Sequence, residues 1–475
     1  MLFSSVVFVL YFLPIVLILY YAFSFSRTLQ NILLFVASIV FYSWGEVKFA
    51  GLMVLSILMN TLFGYLVDKY RDSKKKAKFC VFATVAYNLI VLFIFKYLMF
   101  TVTNINALFH TNFSAGQIML PLGISFYTFQ AISYVVDVYR DDAKVEKNPM
   151  YVGLYIAFFP QLIAGPIVRY NSIAEQIKNR HTTFDKFSIG CCRFLVGFSK
   201  KIMLSNNFAL VADKIFELTE AQVVPASLAW LGAIAYTLQI YFDFSAYSDM
   251  AIGLAGMFGF RLEENFNYPY ISKSIGEFWR RWHISLSTFF KEYVYFPLGG
   301  SRVENQDKMV RNTFIVWMLT GIWHGAEWTF ILWGLCNFVF IMGERLFNFE
   351  KSKIPNSLKH IYTMFAVIIG WVLFRAENLS KAFVYFKNMF GLNDNGFASD
   401  TLIMYLREYG IFFIAGIIFS TPIAKRINKM NVDNKMPIVG NAITVLYPIV
   451  VVGLFVICMT YLIAGSYNPF IYFNF

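Results

Sequence analysis

Residues 1–26 carry no charge, and neither does the stretch from Met436 to the terminal Phe475. Each run exceeds the roughly 20 apolar residues that take a helix across a bilayer. Between them lie further runs with little or no charge: Asn31 to Trp44, Phe49 to Val67, Phe79 to Phe95, Gln117 to Val136, Tyr151 to Val168 and Val223 to Phe242. The second half adds Met250 to Phe260, Thr313 to Trp323 continuing toward Gly343, Ile361 to Phe374, and Tyr409 to Ala424. Divided at roughly 20 residues per crossing, this pattern predicts about eleven spanning helices with several short or re-entrant pieces. No polar stretch reaches the about 50 residues a separate soluble domain needs, so the whole chain, 1–475, reads as one all-α membrane domain.

The first run has no basic leader, carries Pro14 in its middle and lacks an A-x-A-like cleavage site before Arg27, so it reads as a retained helix rather than a signal. Pro121 to Gln130 and Phe159 to Arg169 place Pro and Gly inside apolar runs, the mark of broken helices whose backbone lines a protein cavity. Gly253, Gly256 and Gly259 recur every three residues and read as helix-packing glycines rather than a nucleotide fingerprint.

Composition agrees with a lipid environment: 58% of the residues are hydrophobic and 14% charged, against about 25% charged in an ordinary globular domain. The net charge of +12 is spread through short loops and forms no stripe, which favours positive-inside orientation over nucleic-acid binding. The loop from Asp68 to Lys78 holds six basic residues and is expected in the cytoplasm. Counting back three spans puts the N-terminus outside. The five cysteines sit mostly in apolar stretches with no metal-ligand spacing, so neither disulfide nor metal site is expected.

Chemistry narrows to few residues. Of five histidines, His110, His181 and His360 fall in polar loops or at span ends. His324 lies eleven residues beyond Thr313, about 16 Å of helical rise into an apolar run, and an ionisable group at that depth is a functional candidate. An imidazole with a pKa of about 6.5 accepts and returns a proton at neutral pH, which suits attack by a hydroxyl on a thioester or ester. The plainer alternative is a histidine bonded to a neighbouring helix. Gly321 and Gly325 would let a narrow substrate chain approach the ring, with Trp323 and Trp328 as walls.

His283 sits in Glu277-Phe-Trp-Arg-Arg-Trp-His, a mixture that suits an interfacial or re-entrant helix. It either faces the reaction cavity beside Trp282 or caps a helix at the headgroups. Arg280 and Arg281 either attract a cofactor's phosphates or snorkel. A third group, Tyr241-Phe-Asp-Phe-Ser-Ala-Tyr-Ser-Asp249, brings Asp243, Tyr247 and Ser248 to the end of an apolar run, where the carboxylates face a cavity or pair with an arginine.

These segments in this order resemble the membrane-bound O-acyltransferase (MBOAT) superfamily, in particular its bacterial alginate O-acetyltransferase-like (AlgI-like) branch. The matching pieces are Pro121 to Gln130, Phe159 to Arg169, Tyr241 to Asp249, Phe278 to His283 with Tyr295 to Gly300, Trp323-His-Gly325 and Pro469 to Phe473. The resemblance implies a many-helix fold around a tunnel, His324 as the essential histidine, His283 as the second polar position, and Gln130 within a tunnel-lining segment. It also implies acetyl-CoA or another acyl thioester as donor substrate with no tightly bound cofactor, an extracytoplasmic SGNH-type partner, a polysaccharide acceptor, and residence in a bacterial cell membrane. Two other functions fit the same features: D-alanyl transfer to teichoic acid, and a polar-solute transporter in which Asp243 and His324 act as relays. The latter lacks the two-fold hydropathy repeat of many transporters.

Overall fold

A computed structural model of the chain describes all residues other than 46, 303–304, 395, 433–436 and 472–475, and for 428–432 and 437–445 it describes the backbone alone. Tyr472 and Phe473 of the closing motif therefore lie outside the described residues. Every regular element among the described residues is helical.

The helices are α1 (Leu13–Ala22), α2 (Arg27–Ser43), α3 (Val47–Lys69), α4 (Lys74–Leu92), α5 (Leu98–Phe109), α6 (Ile124–Arg140), α7 (Pro149–Ala157), α8 (Phe159–Leu162), α9 (Tyr170–Asn179) and α10 (Phe184–Ser199). They continue with α11 (Asn206–Ala221), α12 (Ala226–Met257), α13 (Ile275–Arg281), α14 (Ile284–Phe290), α15 (Gln306–His324), α16 (Trp328–Leu346), α17 (Asn356–Arg375), α18 (Leu379–Met389), α19 (Asp400–Phe419), α20 (Ile423–Val432) and α21 (Pro437–Ile463). Six helical stretches among the described residues are long and apolar enough to cross a membrane, from Val47–Lys69 to Leu446–Ile463, alongside shorter apolar helices such as Phe8–Ala22. The protein is thus an all-α membrane protein.

One expectation changes in detail and another holds. Most of Val223 to Phe242 and of Met250 to Phe260 belongs to one continuous helix, the 32-residue α12, rather than to two. The polar cluster between them is helical, and its two carboxylates pair with basic side chains, Asp243 with Lys201 and Asp249 with Arg193. The run from Tyr151 to Val168 is broken as expected, where Pro160 at the start of α8 separates it from α7.

The chain forms two compact units, one of residues 1–194 with 248–263, the other of residues 195–247 with 264–471. In the first, Arg180 is buried where three helix ends meet. Its guanidinium donates to Tyr20 Oη near the end of α1, to Ile177 O near the end of α9, and to Phe258 O just past α12, as well as to Asn31 Oδ1. The negative ends of the helix dipoles offset its charge. Gly190 and Gly253 meet in the same unit. A Cβ on Gly253 would stand 2.6 Å from the Phe194 backbone nitrogen, so the predicted packing role of the glycine repeat holds at this position. Gly259 serves differently, with φ +81° just past the helix end.

The second unit contains an antiparallel hairpin of α15 and α16, and its closeness rests on two glycines. A Cβ on Gly321 would lie 2.6 Å from Phe330 O, and one on Gly334 2.5 Å from Trp317 O. The 19 residues of α15 extend about 28 Å and end at His324.

Candidate active site

His324 is the last residue of α15, and the extended Gly325 turns the chain toward α16. Its ring is buried among three aromatic rings, each nearly edge-on: Trp323 at 5.0 Å, Trp333 of α16 at 5.0 Å and Phe374 of α17 at 5.1 Å between centroids. Edge-to-face packing of this kind fixes the imidazole plane. Behind these rings, Trp371 stacks on Trp333 at 6.0 Å and meets Trp282 at 4.9 Å. A cavity of about 20 Å³, room for a single water, lies against Trp279, Trp333, Trp371 and Asn337. Trp279 Nε1 donates to Asn337 Oδ1 at 2.9 Å.

The glycines beside His324 are not left bare for a substrate. A Cβ on Gly325 would fall 2.2 Å from the ring of Phe330, which itself packs on Phe374 at 4.9 Å. Gly321 likewise faces the α16 backbone. The open approach expected at these positions is filled by the protein's own next helix. Trp323 is buried, whereas Trp328 is 53% exposed.

His283 lies where α13 gives way to α14, in the left-handed region with φ 45°. It is neither exposed nor headgroup-facing; it is 1% exposed, with Phe244 edge-on at 4.6 Å and Trp323 at 6.0 Å. Trp323 therefore contacts both histidines. The Nδ1 of His283 is 3.2 Å from Asn265 Oδ1, which also accepts from Ser285 N and Ser285 Oγ. Burial pushes the His283 pKa down to about 3, so the ring is neutral at physiological pH. Trp282 is buried beside it among Phe266, Tyr270 and Phe278.

The two arginines are committed to carboxylates: Arg280 to Glu350 at 2.6 Å, and Arg281 to Glu277 at 2.8 Å. Asp243 is paired, but with a lysine rather than an arginine. Lys201 Nζ stands 2.6 Å away, both side chains fully enclosed, and Ser205 Oγ and Ile471 N also donate to the carboxylate. Lys201 Nζ additionally donates to Pro469 O, and Tyr247 packs on Phe470 at 5.1 Å, so the C-terminal segment is moored on this ion pair. Asp249 pairs with Arg193 at 2.9 Å, as the arginine alternative anticipated. Gln130 and Ser248 are buried in the other unit. His360 Nδ1 contacts Ser272 O at 2.9 Å, and His110 and His181 are exposed.

Sequence reasoning missed Asn265, Ser285 and Lys201. A buried lysine in the apolar stretch after Ser199 was a readable signal for Asp243; a lone asparagine in the Asn265-Phe-Asn-Tyr-Pro loop was not.

Residues 143–380, which include both histidines, match the profile of MBOAT, the membrane-bound O-acyltransferase family. The Pseudomonas putida protein named probable alginate O-acetylase AlgI is 40% identical over the whole of both chains. The peptidoglycan O-acetyltransferase of Helicobacter pylori is 35% identical over 83% of this chain and 80% of its own. The teichoic acid D-alanyltransferase of Bacillus subtilis is 30% identical over 54% of this chain and 69% of its own.

Proposed function

Because the chain belongs to the membrane-bound O-acyltransferase family, we propose that it moves an acetyl group from a cytoplasmic thioester such as acetyl-CoA across the cell membrane for O-acetylation of an extracytoplasmic polysaccharide. The observation that carries this is the full-length similarity to an alginate O-acetylase, joined by a peptidoglycan O-acetyltransferase, against only half-length similarity to a D-alanyltransferase. The chemistry asks for little more than a proton carrier. An acceptor hydroxyl attacks the thioester carbonyl, the new C–O bond forms as the C–S bond breaks, and the hydroxyl proton passes through an imidazole to the departing thiolate. His324 is the carrier in this reading, with its plane set by Trp323, Trp333 and Phe374. His283, across Trp323, is the second participant. Trp282 and the surrounding rings keep water from the reacting carbonyl.

The partner is an extracytoplasmic SGNH-type protein that completes transfer to the polymer, and the chain sits in a bacterial cell membrane with its N-terminus outside and the basic loop from Asp68 to Lys78 inside. The test is reconstitution in vesicles with luminal acetyl-CoA, the partner and external glycan. Wild type should release CoA and acetylate the glycan, and His324→Gln, which keeps hydrogen bonding but cannot cycle a proton, should lose at least about 10² in rate. Near-normal turnover by His324→Gln would refute the role of this histidine, and a wild type that consumes no donor under any of these conditions would favour transport.

A further inference from the structure

We propose that Asn265 is the positioning residue of His283: its amide fixes the imidazole as the Nδ1–H tautomer and leaves Nε2 as the nitrogen that accepts a proton. The inference rests on the reading above that His283 takes part in transfer, and it names the group that sets which nitrogen does so.

The argument begins from a donor that has no choice. The backbone N–H of Ser285 can only donate, and it lies 3.1 Å from the Asn265 Oδ1 position. Exchanging the oxygen and nitrogen of the amide would set N–H against N–H, so the atom at that position is the oxygen. That oxygen accepts from Ser285 Oγ at 2.9 Å as well and has no proton of its own to give. His283 Nδ1, 3.2 Å from the same atom, must therefore carry the hydrogen. In a neutral imidazole the other nitrogen then holds the lone pair.

The asparagine is itself held in place by its surroundings. It is fully buried, its carbonyl accepts from Ile284 N at 3.0 Å, and Asn267 N donates to Arg281 O at 2.9 Å, so residues 265–267 are laced along the junction of α13 and α14. His283 holds a left-handed backbone conformation that L residues seldom adopt, as expected where the surroundings dictate a side chain's direction. Phe244 and Trp323 then flank the ring.

A residue that merely tied this loop together would show the same contacts, so the test must read more than loss of rate. In the reconstituted system with its partner, transfer from acetyl-CoA is measured per monodisperse molecule for Asn265→Ala, Asn265→Asp, His283→Ala and the double variant Asn265→Ala/His283→Ala. Asn265→Ala should lower kcat about tenfold, the factor one ordinary hydrogen bond is worth, with KM for the donor little changed. Asn265→Asp keeps the acceptor and should recover most of the rate, while its carboxylate moves the limb of the pH–rate profile set by His283 to higher pH. The double variant should be no slower than His283→Ala, because the asparagine acts only through the ring. A further tenfold loss in the double variant, or an aspartate that rescues nothing, would overturn the proposal. So would a fully active Asn265→Ala beside an inactive His283→Ala, which leaves the role of His283 standing. A fully active His283→Ala would remove that role and the proposal with it.

Discussion

Gly325→Ala should cripple transfer by displacing a ring of the protein's own packing. The added Cβ would lie 2.2 Å from Cδ2 and Cε2 of Phe330, where ordinary contact begins at 3.4 Å, so the ring must retreat by about 1 Å. The backbone at Gly325 is extended, with φ −165°, so alanine brings no conformational strain of its own and the effect is purely one of space. Phe330 leans on Phe374 at 4.9 Å, and Phe374 is one of the three rings that hold His324. Overpacking of this kind costs about 1–3 kcal/mol of stability. A displacement of about 1 Å passed on to the imidazole would cost up to about 10² in rate. The assay is acetyl transfer per folded molecule together with the melting temperature in detergent. Adding Phe330→Leu, which vacates the ring edge, should return both quantities most of the way, giving strong coupling between the two positions. If Gly325→Ala melts normally, loses activity and is not helped by Phe330→Leu, then the glycine serves the substrate's path and the packing argument is wrong.

Breaking the buried ion pair with Lys201→Met or Asp243→Asn alone should destabilise the protein by about 3–5 kcal/mol, whereas the apolar pair Lys201→Met/Asp243→Leu should lose less, as thermal melts of the three variants would show. Because burial lowers the His283 pKa to about 3 from 6.5 in the unfolded chain, the unfolded state binds the extra proton as pH falls. Wild type should therefore lose stability relative to His283→Gln from about pH 6.5 downward, by up to about 1.4 kcal/mol per pH unit, and parallel pH–stability curves would contradict the buried neutral ring. A cysteine placed at Ser73 should react with a membrane-impermeant reagent only after permeabilisation, and labelling in intact cells would reverse the orientation.

The sequence shows most where one residue's chemistry decides alone. Charge-free runs mark α3, α4 and α17 because crossing a bilayer depends on length and polarity, both of which are local quantities. The two informative histidines stand out for the same reason, as ionisable groups set among tryptophans and phenylalanines. Pro160 breaks its run because proline lacks the N–H a helix requires. What stayed hidden depends on which helix comes next to which. The continuity of α12 through Asp243 and Asp249 became affordable only with Lys201 and Arg193, both brought from elsewhere in the chain.

What a sequence leaves open at Gly325 and hides at Asn265 has one cause. A glycine beside a reactive side chain looks the same in a sequence whether it admits a substrate or a phenylalanine, and only the ring of Phe330 distinguishes the two. An asparagine in a polar loop looks like a turn residue until the backbone N–H of Ser285 shows which of its two ends faces the histidine. In both cases the deciding group lies within about 20 residues in the chain yet on another element, at spacings no helical or strand period would bring together. The arrangement around the two imidazoles is therefore a property of the turns after α13 and α15, where short connections force neighbouring elements against them. Substitutions in these turns should disturb catalysis more than equally conservative changes along the lipid-facing helix surfaces, because a turn residue that moves takes His283 or His324 with it.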